Sequence, residues 1–191
     1  MQVILASQSP RRRELLGLFG FPFTVRVADI DETMDPAADP AAEVARISRE
    51  KALAVSRETE DVVIAADTIV VCDGKVLGKP GSFDHAVQML TMLSGRDHQV
   101  MTGMTVLRGS EAVTQVTTTH IRFRELSPGE ILRYVRSGEP MDKAGAYGIQ
   151  GGAALFAESL EGDYYNVMGL PVCPLAKILK KIAPEIMEEA Q

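Results

Sequence analysis

The chain has 191 residues, 46% hydrophobic and 24% charged, with a net charge of −6 from 20 basic and 26 acidic side chains. That length supports one substantial core without disulfide staples, and the composition excludes a disordered, collagenous or coiled-coil chain. The acidic balance argues against sequence-independent nucleic-acid binding but leaves room for a small basic pocket around one phosphorylated ligand.

Val3–Ala6 reads as a short buried strand. Ser9 and Pro10 then open a helix, serine as N-cap and proline where its missing N–H is not needed, and Gly20 closes it. Residues 23–28 alternate like a strand, and 29–39 form an acidic, turn-rich stretch. Asp39-Pro40 starts a long helix expected to reach about Glu58. Two apolar strands follow, 62–66 and 69–72, and Asp73-Gly74 turns the chain back into 75–77. Ser82 caps a helix to Leu93. Residues 98–107 and 112–123 are long strand-like runs joined at Gly109-Ser110. Ser127 and Glu130 make a capping box for a helix to Arg136. Residues 137–152 are glycine-rich, 153–157 reads as a short strand, and Pro171 begins a final helix. No repeat or linker divides residues 1–191, which read as a single α/β domain around a mixed sheet.

The two cysteines, Cys72 and Cys173, lack any metal-type spacing and are expected as buried thiols of a reduced, cytoplasmic protein. No signal-peptide pattern and no 18-residue apolar stretch occurs, so no membrane association is expected. The three histidines, His85, His98 and His120, have no ligand spacing and read as satisfied or exposed residues.

Four places carry possible chemistry. Ser7 to Arg13 joins a buried strand to a helix start and holds three arginines, where cations are unfavourable for the helix itself. It is either a solvated basic turn or a phosphate cradle of Ser7 with Arg11 or Arg12; no P-loop pattern is present. Lys51 lies on the apolar stripe of its helix, either snorkelling to the edge or aimed at an anion. Asp67-Thr68 interrupts two apolar runs. That carboxylate either caps a turn or needs a cation beside it, whether metal, arginine or lysine, and the chain reversal would bring Lys79 near. Residues 145–152 hold four glycines that let backbone close on a ligand, and Gln150 offers an amide suited to a base edge.

These stretches together resemble the Maf family of nucleoside triphosphate pyrophosphatases. The resemblance runs through Leu5–Arg12 (Leu-Ala-Ser-Gln-Ser-Pro-Arg-Arg), Lys51-Ala52, Ala66-Asp67-Thr68-Ile69-Val70, Gly78-Lys79-Pro80, Leu93-Ser94-Gly95-Arg96 and Thr102-Gly103. It continues through Asp142–Gly151 (Asp-Lys-Ala-Gly-Ala-Tyr-Gly-Ile-Gln-Gly) and Gly162–Pro171, so nearly the whole chain is covered. The segment Ala146–Gly151 is similar to the subgroup that hydrolyses dTTP and UTP; the subgroup active on 7-methyl-GTP differs there.

The resemblance implies an elongated mixed β-sheet flanked by helices with a central cleft, related to inosine triphosphatases, and commonly a homodimer. It implies Asp67 as general base, working with a divalent cation (Mg or Mn) that Asp67 and Glu32 would hold. Ser7, Arg11, Lys51 and Lys79 would grip the triphosphate, and Arg12, Thr68 and Gln150 would select the base. Water would attack the α-phosphorus, giving the monophosphate and pyrophosphate. Two rivals stand beside this reading: an interaction protein, for which no docking module is visible and which would have little need of Asp67 beside several cations, and a nucleotide sensor with the same pocket but no turnover.

Overall fold

Ser9, Asp39, Ser82 and Ser127 each open a helix by accepting a first-turn backbone N–H. The computed structural model describes residues 1–56 and 60–188. In chain order the elements are β1 (Val3–Leu5), α1 (Pro10–Gly17), β2 (Thr24–Val25), α2 (Pro40–Val55), β3 (Val62–Cys72), β4 (Lys75–Leu77) and α3 (Phe83–Leu93). Then come β5 (Asp97–Arg108), β6 (Glu111–Phe123), α4 (Pro128–Arg136), β7 (Ala157–Glu161), α5 (Tyr164–Met168), α6 (Val172–Ile182) and α7 (Pro184–Glu188). The fold is α/β, with one seven-stranded sheet ordered β2-β1-β3-β5-β6-β7 and β4 paired to β3. The sheet is mixed: β1 runs parallel to β2 and β3, while β3/β4 and β6/β7 are antiparallel. No described helix is long and apolar enough to cross a membrane.

Chain contacts define two compact units. The first comprises Met1–Asp67, Thr102–Thr117 and Gly169–Gln191, the second Thr68–Met101 and Thr118–Met168. In the first, Ile4 and Ala6 pack with Val63 and Ala65 of β3 and with Ala52 and Val55 of α2. A buried hydroxyl chain ties α2 to the strands: Ser48 Oγ lies 2.8 Å from Thr105 Oγ1, which lies 2.9 Å from Thr114 Oγ1. Gly103 lets α2 come down onto β5, because a Cβ there would stand 2.7 Å from the Ala45 nitrogen and closer still to the Val44 carbonyl. These contacts fix the helix that carries Lys51.

The second unit is centred on rings. Phe123 sits edge-on to His98 and to Tyr147 with centroids 4.8 Å away in each case, and His98 Nε2 lies 2.9 Å from the Tyr147 hydroxyl. His98 is therefore a buried core residue with Nε2 partnered by Tyr147 and Nδ1 left without a hydrogen bond among the described residues, and burial pushes its pKa down to about 4. His85 Nδ1 accepts the Gly81 N–H at 3.2 Å, so that ring too has a structural task.

Several sequence expectations are corrected. The two strands proposed on either side of Asp67-Thr68 are one strand, β3, because the carboxylate is neutralised laterally and the ladder need not break. The strand expected at 153–157 starts only at Ala157; Gly152–Leu155 is a 3₁₀ turn. β2 is confined to two residues, α1 ends at Gly17, and Tyr164–Met168 adds a short helix between β7 and α6. α2 ends at Val55; residues 57 and 58 of its expected last turn lie outside the described residues. Cys72 is buried as expected, but Cys173 is exposed, at the second position of α6.

Replacing Gly103 by alanine places a methyl group into the backbone of α2. Overpacking of this kind costs about 1–3 kcal/mol. We expect the urea midpoint of Gly103→Ala to fall accordingly with the slope unchanged; an unaltered midpoint would show that α2 has room to retreat.

Candidate active site

The first unit gathers its charged groups where β1 ends. Ser9 has extended backbone (φ −63°, ψ 119°), and its hydroxyl oxygen accepts the Arg12 N–H at 3.4 Å, capping α1. Ser7 is buried, and its Oγ accepts from the Ser9 N–H at 3.1 Å and from Arg12 Nη1 at 3.3 Å. Neither bond uses the serine's own proton. Arg12 is half-buried and anchored further by Nε donating to the Gly169 carbonyl at 2.8 Å. Desolvation lowers its pKa, while the nearby Asp67 carboxylate acts in the opposite sense, followed by repulsion from Arg11 and attraction to Glu32. Guanidinium remains charged throughout.

Lys51 supplies the central contact. Its Nζ donates to Asp67 Oδ1 and to Glu32 Oε2, both at 2.8 Å. The Lys51 and Asp67 side chains are 9% and 13% exposed, whereas Glu32 is 54% exposed and faces outward. Asp67 thus belongs to strand β3, Lys51 to helix α2 and Glu32 to the acidic turn. Arg11, Arg12 and Lys51 stand against Glu32 and Asp67, a local balance of three cations to two anions in a chain whose net charge is −6. That balance favours an anionic ligand.

The turn carrying Glu32 is strapped to α2. Arg46 Nη2 donates to the Thr33 carbonyl at 2.9 Å, and Glu43 Oε2 accepts the Asp35 N–H at 2.9 Å. Arg46 is itself held by Glu43 and Glu50. These residues were not singled out in the sequence. Their signal was there, in acidic and basic residues spaced three and four apart on one helix face.

The remaining candidates belong to the second unit. Thr68 is half-buried and directly follows Asp67 in β3. Lys79 is exposed in the loop after β4, and the Gly145 N–H fixes that loop through the Gly78 carbonyl at 3.0 Å. Gly145 has φ 68°, and a Cβ there would strike Val70 at 2.7 Å, so only glycine serves. Gln150 is exposed on the next loop.

A divalent cation fits the donor set in one respect. No group of three or more His, Cys, Asp or Glu residues among those described could enclose a metal. Mg²⁺ needs no such cage, being held commonly by one or two carboxylates together with substrate phosphates. Glu32 and Asp67, already converging on one positive charge, are such a pair.

The chain matches the family model described as "Maf-like protein" over residues 2–182. It is 54% identical over 172 residues to a protein of Symbiobacterium thermophilum named dTTP/UTP pyrophosphatase, covering 90% of this chain and 89% of the relative. A protein of the same name from Moorella thermoacetica is 50% identical over 182 residues, covering 93% of each. Among solved structures, a HAM1 protein from Coxiella burnetii superposes with TM-score 0.51 and 14% identity over 95% of this chain and 99% of that one, which speaks to the fold.

The strap on the acidic turn has a pH signature. The Arg46 guanidinium, then the Asp35 N–H, hold the Glu43 carboxyl at about 2 against an ordinary 4.5. A depressed carboxyl stabilises the fold above its ordinary pKa, and that contribution disappears as pH falls from 4.5 towards 2. Glu43→Gln should flatten the dependence of Tm on pH in that window. Glu130, lowered to about 2 chiefly by Arg124, would supply the residual slope. An unchanged acid profile in Glu43→Gln would show that the strap adds nothing.

Proposed function

Since this chain belongs to the Maf family of proteins, we propose that it hydrolyses dTTP and UTP to the nucleoside monophosphate and pyrophosphate. The relatives named dTTP/UTP pyrophosphatase align over nine-tenths of the chain or close to it, and their name gives the substrates. The observation that carries the chemistry is the Asp67–Lys51–Glu32 cluster beside an arginine-rich helix start. It joins a candidate base, a buried ammonium and a cationic helix start in one unit.

On this reading the triphosphate meets the Ser7 hydroxyl and Arg11 at the start of α1, with Lys51 and Lys79 adding positive charge. Asp67 takes a proton from water through Oδ2 while Oδ1 stays on the Lys51 ammonium. The water oxygen bonds to the α-phosphorus as the bond to the α,β-bridging oxygen breaks, and that oxygen leaves with pyrophosphate. Lys51 leans on the phosphates as negative charge moves onto the leaving group, which is where fixed cations lower a barrier most. A divalent cation, Mg²⁺ or Mn²⁺, would be held by Glu32 and Asp67, and would neutralise phosphate oxygens and acidify the attacking water. Arg12, Thr68 and Gln150 are assigned to the base. An amide can pair with the O4 and N3–H edge that uracil and thymine share, while cytosine offers the reverse polarity.

The test is pyrophosphate release from dTTP, UTP, CTP and 7-methyl-GTP, in parent and Asp67→Asn protein. We expect dTTP and UTP to be preferred, and kcat of Asp67→Asn to fall about 10²–10⁴-fold with nucleotide binding retained. Binding without turnover in the parent would make the protein a sensor. An Asp67→Asn protein keeping over a tenth of parental kcat, by our threshold of roughly tenfold against general-base effects, would remove Asp67 from the role.

A further inference from the structure

The segment 148–152 carries Gln150 and three glycines, a composition that gives the backbone wide freedom unless something restrains it. Two side chains do. Glu139 opens a 3₁₀ turn (Glu139–Asp142) after Gly138, whose φ of 77° turns the chain out of α4. Its Oε2 accepts the Gly152 N–H at 3.0 Å, and its Oε1 accepts the Tyr134 hydroxyl proton at 2.9 Å. The same tyrosine oxygen accepts the Gly148 N–H at 3.0 Å. Both ends of the segment are thereby suspended from one carboxylate and one phenol, with Gln150 midway between them.

Tyr134 is only 6% exposed and stands edge-on to Phe156 with centroids 5.2 Å apart, so its hydroxyl is a rigid post. Burial raises its pKa, keeping it a donor to Glu139. The glycines are shaped around the same groups. A Cβ on Gly151 would lie 2.6 Å from Glu139 Oε2 and nearer to its other carboxylate atoms, and one on Gly148 would lie 2.7 Å from Lys143 Cε. Lys143 closes the frame by donating to the Glu139 carbonyl and to Asp142 Oδ1, both at 2.6 Å.

We propose that Glu139, acting with Tyr134, is a positioning residue for base selection: its carboxylate clamps residues 148–152 so that Gln150 is held ready for the pyrimidine edge before substrate arrives. The inference rests on the reading of Gln150 as the base-contacting amide. A loop ordered in advance spends none of the binding energy on being ordered, so the clamp acts on KM and selectivity and little on the chemical step.

The experiment compares parent, Glu139→Ala, Gln150→Ala and the double variant with dTTP, UTP and CTP, reading kcat and KM separately. Glu139→Ala should raise KM for dTTP and UTP roughly tenfold, as for a lost charge-assisted hydrogen bond, with kcat changed less than about twofold. The dTTP-to-CTP ratio of kcat/KM should shrink towards that of Gln150→Ala. The double variant should match Gln150→Ala alone, because Glu139 acts through that amide. Glu139→Gln keeps one acceptor and should fall between parent and Glu139→Ala. Amide exchange at Gly148 and Gly152 should quicken in Glu139→Ala. Gly151→Ala drives a methyl group into the Glu139 carboxylate from the loop side and serves if Glu139→Ala does not fold. It should shift KM and selectivity the same way. If Gln150→Ala shifts the ratio while Glu139→Ala and Gly151→Ala leave it parental, the clamp is overturned and the amide reading survives. If Gln150→Ala itself leaves the ratio unchanged, both fall.

Discussion

Lys51 carries a charge to a place where only 7% of the residue remains exposed, and two carboxylates meeting it at 2.8 Å make that tolerable. The contact works in both directions. Asp67 stands inside a strand whose neighbouring residues are almost wholly buried, and without the ammonium its own charge would be stranded there. Because the ion pair reaches sideways from helix to strand, β3 can run unbroken through a polar residue. The helix must then sit at a fixed height over the sheet, which is what Gly103 and the Ser48–Thr105–Thr114 hydroxyl chain secure. A methyl group at position 103 would press on that helix at Val44 and Ala45, one to two turns before Lys51.

Two loops that carry candidate ligands are held by one device. In the acidic turn, Glu43 accepts the Asp35 N–H; in the glycine-rich loop, Glu139 accepts the Gly152 N–H. Each acid is in turn held by a second side chain, Arg46 in one case and Tyr134 in the other. A carboxylate with two acceptor oxygens can grip a backbone amide and its own anchor together, which a hydroxyl or amide does less well. Loops poor in apolar contacts acquire a defined shape this way, without a core of their own.

Legibility in the sequence followed the range of the signal. Helix starts at Ser9-Pro10, Asp39-Pro40, Ser82 and Ser127 could be read directly, since cap and helix lie within four residues of one another. The strand through Asp67 could not, because its partner Lys51 is sixteen residues away on a helix. Residues 153–156 carry an apolar pattern that suits a strand, yet the ladder with β6 begins only where Ala157 meets Phe123. Ser7, Arg12, Lys51 and Asp67 stood out individually for being polar or charged in unlikely places, whereas Glu32, one acid in an acidic turn, came only with the resemblance. That one ammonium joins two of them was not visible. Glu139 passed unnoticed, as a single acid between glycine and proline looks like any surface turn.

The bond from Arg12 Nε to the Gly169 carbonyl spans 157 residues. A ribosome adding about 5–20 residues each second needs on the order of 8–30 s to cover that distance. Throughout that interval the arginine-bearing turn exists without the carbonyl that orients it. β1 meets its partner β3 far sooner, once residues 62–64 emerge. The sheet can therefore be nucleated early, while the arginine-bearing turn gains this distant anchor late.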